Sequence, residues 1–165
     1  MQRLYIILFI LGFSTCWSQS KSILDKYPKS VQVLIGIEKG VFRGASFGDS
    51  RTKIKSSEVG VLQAESDTAL NYDLMVDNNN YADLIYNTDT AWKIKAFFIV
   101  FIREKNEEDD RFKTSLIKYY NERFGYYTVK SPEIKLWTSK DGYLVEMRDR
   151  TDETGTETEV IYYIL

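Results

Sequence analysis

The chain has 165 residues, 44% apolar and 28% charged, which suits one globular domain able to bury its own core. It contains no histidine, and its single cysteine is Cys16. These absences remove the usual general base near neutral pH, the thiol nucleophile, the Cys/His zinc site and any internal disulfide. The net charge of −2 gives no basic surplus for nucleic acid.

Met1 to Ser18 reads as a signal peptide. Arg3 supplies the positive start, Leu4 to Phe13 the short apolar run, and Cys16 and Ser18 the small residues before a cut. The apolar run is too short to span a bilayer. Removal of Arg3 takes the charge from −2 to −3 and leaves Gln19 first. Such a terminus resembles exported proteins of the Bacteroidetes group. The expected location is periplasmic or secreted, and lipidation of Cys16 is the alternative. No integral membrane segment is expected after the leader.

Residues 19–30 are polar and basic and read as a tether, and 31–165 as a single α+β domain. Val31 to Ile37 is rich in β-branched residues and predicts a strand. A helix is expected to begin at Asp49 or Ser50, with Ile54, Val61 and Leu62 on its apolar stripe. Strands are expected over about 69–76, 81–87 and 91–103, with Asp77-Asn78-Asn79-Asn80 turning between the first two.

Phe112, Leu116, Tyr120 and Phe124 repeat every four residues and predict an amphipathic helix over about 110–124, stopped at Gly125. Strands follow over about 133–138, 143–150 and 157–165. Lys140-Asp141-Gly142 and Glu153-Thr154-Gly155 supply the turns. The expected fold is an antiparallel sheet with helices on one face, in two helix-plus-three-strand units.

Phe42-Arg43-Gly44, then Phe47-Gly48-Asp49-Ser50 and Glu58, and later Leu116 to Gly125 ending in Arg123-Phe124-Gly125, form a pattern. It resembles small exported bacterial domains of the outer-membrane assembly lipoprotein and β-lactamase-inhibitor types over about 41–165. It differs at Phe47 and Tyr126, where those proteins carry tryptophan and proline. The resemblance implies binding of other proteins.

Glu58 falls on the apolar side of the first helix, so a partner is expected, most simply Arg43. Asp73, Asp77, Asn79 and Asp83 offer oxygen ligands, but without the spacing of a calcium loop; no metal or cofactor is expected. Ser50-Arg51-Thr52-Lys53 has Ser/Lys spacing, with capping the simpler role for Ser50. Glu107 to Asp110 and Asp149 to Glu159 read as solvated turns.

Strand alternation places Phe98, Leu136 and Tyr162 under the helices. Lys95, Phe97, Lys135, Trp137 and Tyr163 then form the open face, a mixture of rings and cations suited to partner contact. The expected function is non-catalytic binding or assembly, holding a protein or envelope component there. The alternative is a carboxylate-based hydrolase of envelope glycans.

Overall fold

The computed structural model describes residues 22–78, 80–103, 107–151 and 156–165. The expected leader 1–18 with Cys16, the Gln19 terminus, Asn79 and the Glu153-Thr154-Gly155 turn lie outside them.

The segment read as a tether is folded from residue 22 onward. Ser22 Oγ accepts the Leu24 amide and opens a short 3-10 turn, Ile23–Lys26. Leu24 is buried, the Tyr27 ring meets Tyr119 edge-on at 5.6 Å, and Lys26 and Tyr27 both reach Glu122. Helix α1 follows at Lys29–Ile35. This overturns the expected strand over 31–37. Val31, Leu34 and Ile35 are all fully buried, and their spacing is that of one helix face. β-Branched content was the weaker signal because burial of that stripe outweighs intrinsic propensity. Gly36 ends the helix at φ 64°.

Helix α2 spans Arg51–Ser57, with Ser50 Oγ accepting the Lys53 amide at 3.3 Å. It stops before Val61 and Leu62, which stand exposed on strand β1, Val61–Glu65, instead of on a helical stripe. Gly60 allows the change of direction. A Cβ there would sit 3.0 Å from the Asp73 carbonyl oxygen, so any side chain would press on the β2 backbone.

Strands β2 (Ala69–Asp77), β3 (Asn80–Thr88) and β4 (Ile94–Arg103) precede helix α3 (Glu107–Phe124). Strands β5 (Thr128–Ser131), β6 (Ile134–Thr138), β7 (Tyr143–Thr151) and β8 (Thr156–Ile164) follow it. All pairings are antiparallel, in the order β1-β2-β3-β4-β8-β7-β6-β5. Two four-stranded meanders thus join through β4 and β8, with β1 and β5 as the outer strands. Each is one strand longer than the sequence suggests, because β1 and β5 are short and mostly exposed and carry no burial pattern. Glu107 to Asp110 form the first turn of α3 and not a loop.

The cross-strand register fixes the two faces. Tyr86 pairs with Phe97, Phe97 with Tyr162, Tyr162 with Val145 and Val145 with Trp137, so these five share one side. The helices and the Phe42–Phe47 segment cover that side. Phe42 packs on Tyr86, Phe97 and Tyr162, while Tyr120 packs on Trp137 and Tyr162. The α3 residues Phe112 and Phe124 meet Phe101 and Tyr143. This aromatic layer is the core of the protein.

The expected faces of β4 and β6 are therefore reversed. Phe97 and Trp137 are 0% and 1% exposed beneath the helices, while Phe98 and Leu136 face the other way. Only β8 was oriented as read, with Tyr162 inside and Tyr163 outside. A bulge explains part of this. Asn87 pairs with Ala96 but Thr88 pairs with Ile94, so Lys95 is an extra residue and Ile94 returns to the core side. Both faces of β4 are apolar, so alternation could not rank them. The lysines then misled, because they sit at strand ends and edges where a charged head can leave the core face.

Candidate binding face

Two polar assemblies stand out, one inside the fold and one on its open side. The first joins Arg43 and Glu58. Arg43 Nε and a terminal guanidinium nitrogen each donate to Glu58 at 2.9 Å, with the side chains 7% and 2% exposed. Arg43 also donates to the Val33 and Leu34 carbonyls at the end of α1, at 2.5 and 3.0 Å. Its φ of 51° is unusual for a residue with a side chain and is held by these contacts. Glu58 further accepts the Tyr86 hydroxyl and the Val59 and Gly60 amides.

Burial pushes the Glu58 carboxyl upward, but the hydrogen bonds and charge of Arg43, with Tyr86 and Gly60, hold it below its ordinary value. Burial and then Glu58 push the Tyr86 hydroxyl far upward. Five donors surround this carboxylate. The assembly ties α1, α2 and β3 together and presents no free lone pair to a ligand.

The second assembly lies on the face opposite the helices. Across its middle run Ile85, Phe98, Ile161, Glu146 and Leu136, each the cross-strand partner of the next. Beside them run Tyr163 and Leu144 in one row, and Val100, Glu159 and Arg148 in the other. No helix packs here among the described residues. Glu146 is nonetheless only 1% exposed, covered by its neighbours on the sheet. It takes Arg148 Nε at 2.5 Å, Lys130 Nζ at 3.3 Å and the Tyr163 hydroxyl at 3.1 Å. Arg148 reaches on to Glu159 at 3.5 Å. Burial raises the Glu146 carboxyl, and Arg148, Tyr163 and Lys130 outweigh that and lower it. Burial and the bond to Glu146 raise the Tyr163 hydroxyl. The network is an already paired charge cluster framed by apolar side chains.

At the β2–β3 end of the same face, Asp73 and Asp83 are direct cross-strand partners. Burial and the facing Asp73 charge raise the Asp83 carboxyl. Val61, Met75 and Tyr81 stand beside them at 64%, 56% and 52% exposure.

Of the residues expected to form the binding face, only Tyr163 lies on the open side. Phe97 and Trp137 are core, and Trp137 Nε1 donates to Asn121 Oδ1 at 2.9 Å. Lys95 is the exposed bulge residue. Lys135 shares the helix-covered face with Met147, half-buried on β6 near the sheet edge, and reaches Asp149 at 3.7 Å. Glu146, Arg148, Phe98 and Ile161 were overlooked. The alternation of Leu144, Glu146 and Arg148 with Val145 and Met147 was the signal for the first two.

Ser50 caps α2, and Lys53 Nζ is paired with Asp49 at 2.7 Å. Among the described residues no group of three or more Cys, Asp or Glu could hold a metal ion, and no helix is long and apolar enough to cross a membrane. No protein-family model matches the chain, and no curated protein or solved structure matches it either.

Proposed function

We propose that this chain is an exported, non-catalytic binding or assembly module that holds a protein or envelope component on its open sheet face. The observation that carries this reading is the face itself. Half-buried Phe98 and Tyr163, with the more deeply set Ile161 and Leu144 at 6% and 9% exposure, surround a charge cluster whose members already satisfy one another, and no helix lies over them among the described residues. Apolar side chains around fixed polar groups are the makeup of a contact surface. The flanking segments Phe42 to Glu58 and Leu116 to Gly125 add support through their resemblance to envelope-assembly and inhibitor folds. The leader Met1 to Ser18 supports export, and the acidic balance argues against nucleic acid as partner.

For a glycan hydrolase, the directly opposed carboxylates among the described residues are Asp73 and Asp83. That pair sits on a sheet surface, with Asp83 exposed, where a sugar ring has no cleft to enclose it.

The test is Phe98→Glu, at the centre of the face. The substitution is expected to leave the circular dichroism spectrum and thermal transition nearly unchanged. It should abolish the cross-links that the wild-type protein forms in its native envelope. Cross-links that persist unchanged would refute the face as the contact surface.

A further inference from the structure

The cross-strand register sorts the charges of the open face into unlike halves. On the β1–β4 half it places Asp73 and Asp83 and, among the described residues, no lysine or arginine. On the β5–β8 half it places Glu146, Glu157 and Glu159 together with Arg148 and Arg150, and Lys130 reaches in to Glu146. Phe98 and Ile161 pair across the seam where the halves join, with no helix over them among the described residues.

The sheet edges resist growth. β1 shifts register between Leu62 and Ala64, and β5 between Val129 and Ser131. A bulged edge twists away from an incoming strand, which leaves the face as the surface on which another sheet can add. Eight strands about 4.8 Å apart make that face about 34 Å wide, and Leu144 to Arg150 spans about 20 Å along a strand. Two such faces in contact bury up to about 1,400 Å² in all, within the range of stable interfaces.

Resting on the reading of this face as a contact surface, we infer that its partner is a second copy of this chain, stacked face to face about a two-fold axis along the β4–β8 seam. A two-fold between stacked sheets can run across the strands or along them. Across them, every strand lies over its own copy, and Asp73 and Asp83 meet the same carboxylates, which is repulsive. Along the seam, each half lies over the other, β4 over β8 and β3 over β7. Asp83 then comes over Arg148 of the second copy, Phe98 over its Ile161 and the small Ala96 over its Tyr163, because each pair lies in one cross-strand row at equal distances from the seam. The half bearing only carboxylates thus meets the half that carries the cations. Side chains of both faces fill the gap of about 10 Å between the aligned sheets. The contact is isologous and closes at two copies.

The experiment is sedimentation of the exported protein over a concentration series, with envelope cross-linking in parallel. The wild type is expected to be a dimer that loosens with added salt. Phe98→Glu should be a folded monomer by circular dichroism. Asp83→Lys, at an exposed position, should weaken association about tenfold, because the two-fold repeats each contact. Tighter association of Asp83→Lys would mean that Asp83 faces its own copy, and would overturn the assigned axis. A dimer that Phe98→Glu leaves intact would form on another surface and overturn the inference. A wild type still monomeric at about 1 mM would overturn the second copy as partner. The binding face itself would survive that result if Phe98→Glu still abolished the envelope cross-links, and would fall with it if they persisted.

Discussion

The Trp137 indole donates to Asn121 Oδ1 at 2.9 Å while its ring lies 5.2 Å from that of Tyr120, so one side chain fastens β6 to α3. Trp137→Ala removes a fully buried indole, leaves a cavity beside Tyr120 and Tyr127, and strands the Asn121 oxygen. The expected loss is about 3–5 kcal/mol of folding stability, read as a lowered urea midpoint with an unchanged slope. Stability within 1 kcal/mol or so of wild type would show that the indole is not core.

Arg43 and Glu58 stabilise the fold above the ordinary carboxyl range. The Glu58 carboxyl is held below its ordinary value of 4.5, so its contribution is complete above that value and is lost as pH falls through the lower folded one. Glu58→Gln should cost about 3–5 kcal/mol at neutral pH, because the buried Arg43 loses its counter-charge. It should also flatten the decline of stability on the acid side. Urea titrations at stepped pH measure both, and an unaltered acid slope would remove Glu58 as its source.

Asp83 gives the opposite sign. The Asp83 carboxyl is raised in the folded state, so any stability it lends is present below its ordinary value of 3.8 and is lost as pH rises through the raised one. Asp83→Asn should therefore stabilise the free domain by about 0.5 kcal/mol at neutral pH, the scale of one cross-strand repulsion. The gain should disappear in acid. A destabilised variant at neutral pH would mean that the two carboxylates do not repel.

Processing of the amino terminus is expected to leave Gln19 first. Mass spectrometry of the exported protein decides this, and a diacylglyceryl group on Cys16 would show a lipid anchor instead.

Amino-acid order by itself determined the long elements. Phe112, Leu116, Tyr120 and Phe124 mark α3 through their helical spacing, and Gly125 marks its end at φ 88°. The alternating runs of β2, β3, β7 and β8 were equally legible, as was the Ser50 start of α2; the pairing of Glu58 with Arg43 was also legible, although Glu58 stands just past the end of α2 and not on a helical stripe. Local signals could not supply β1 and β5, whose exposed residues carry no burial period. Nor could they supply α1, where β-branched residues mask a helical stripe.

The tertiary structure decided which side of the sheet is inside. On β4 both alternating sets are apolar, so Phe97 and Phe98 were interchangeable until α3 and the Phe42–Phe47 segment covered one of them. A single bulge at Lys95 then put Ile94 in the core beside Phe97, although the two differ in parity. Face selection depends on how helices distant in sequence fill volume against the whole sheet. Alternation within a strand separates two faces but does not name the one that will be covered.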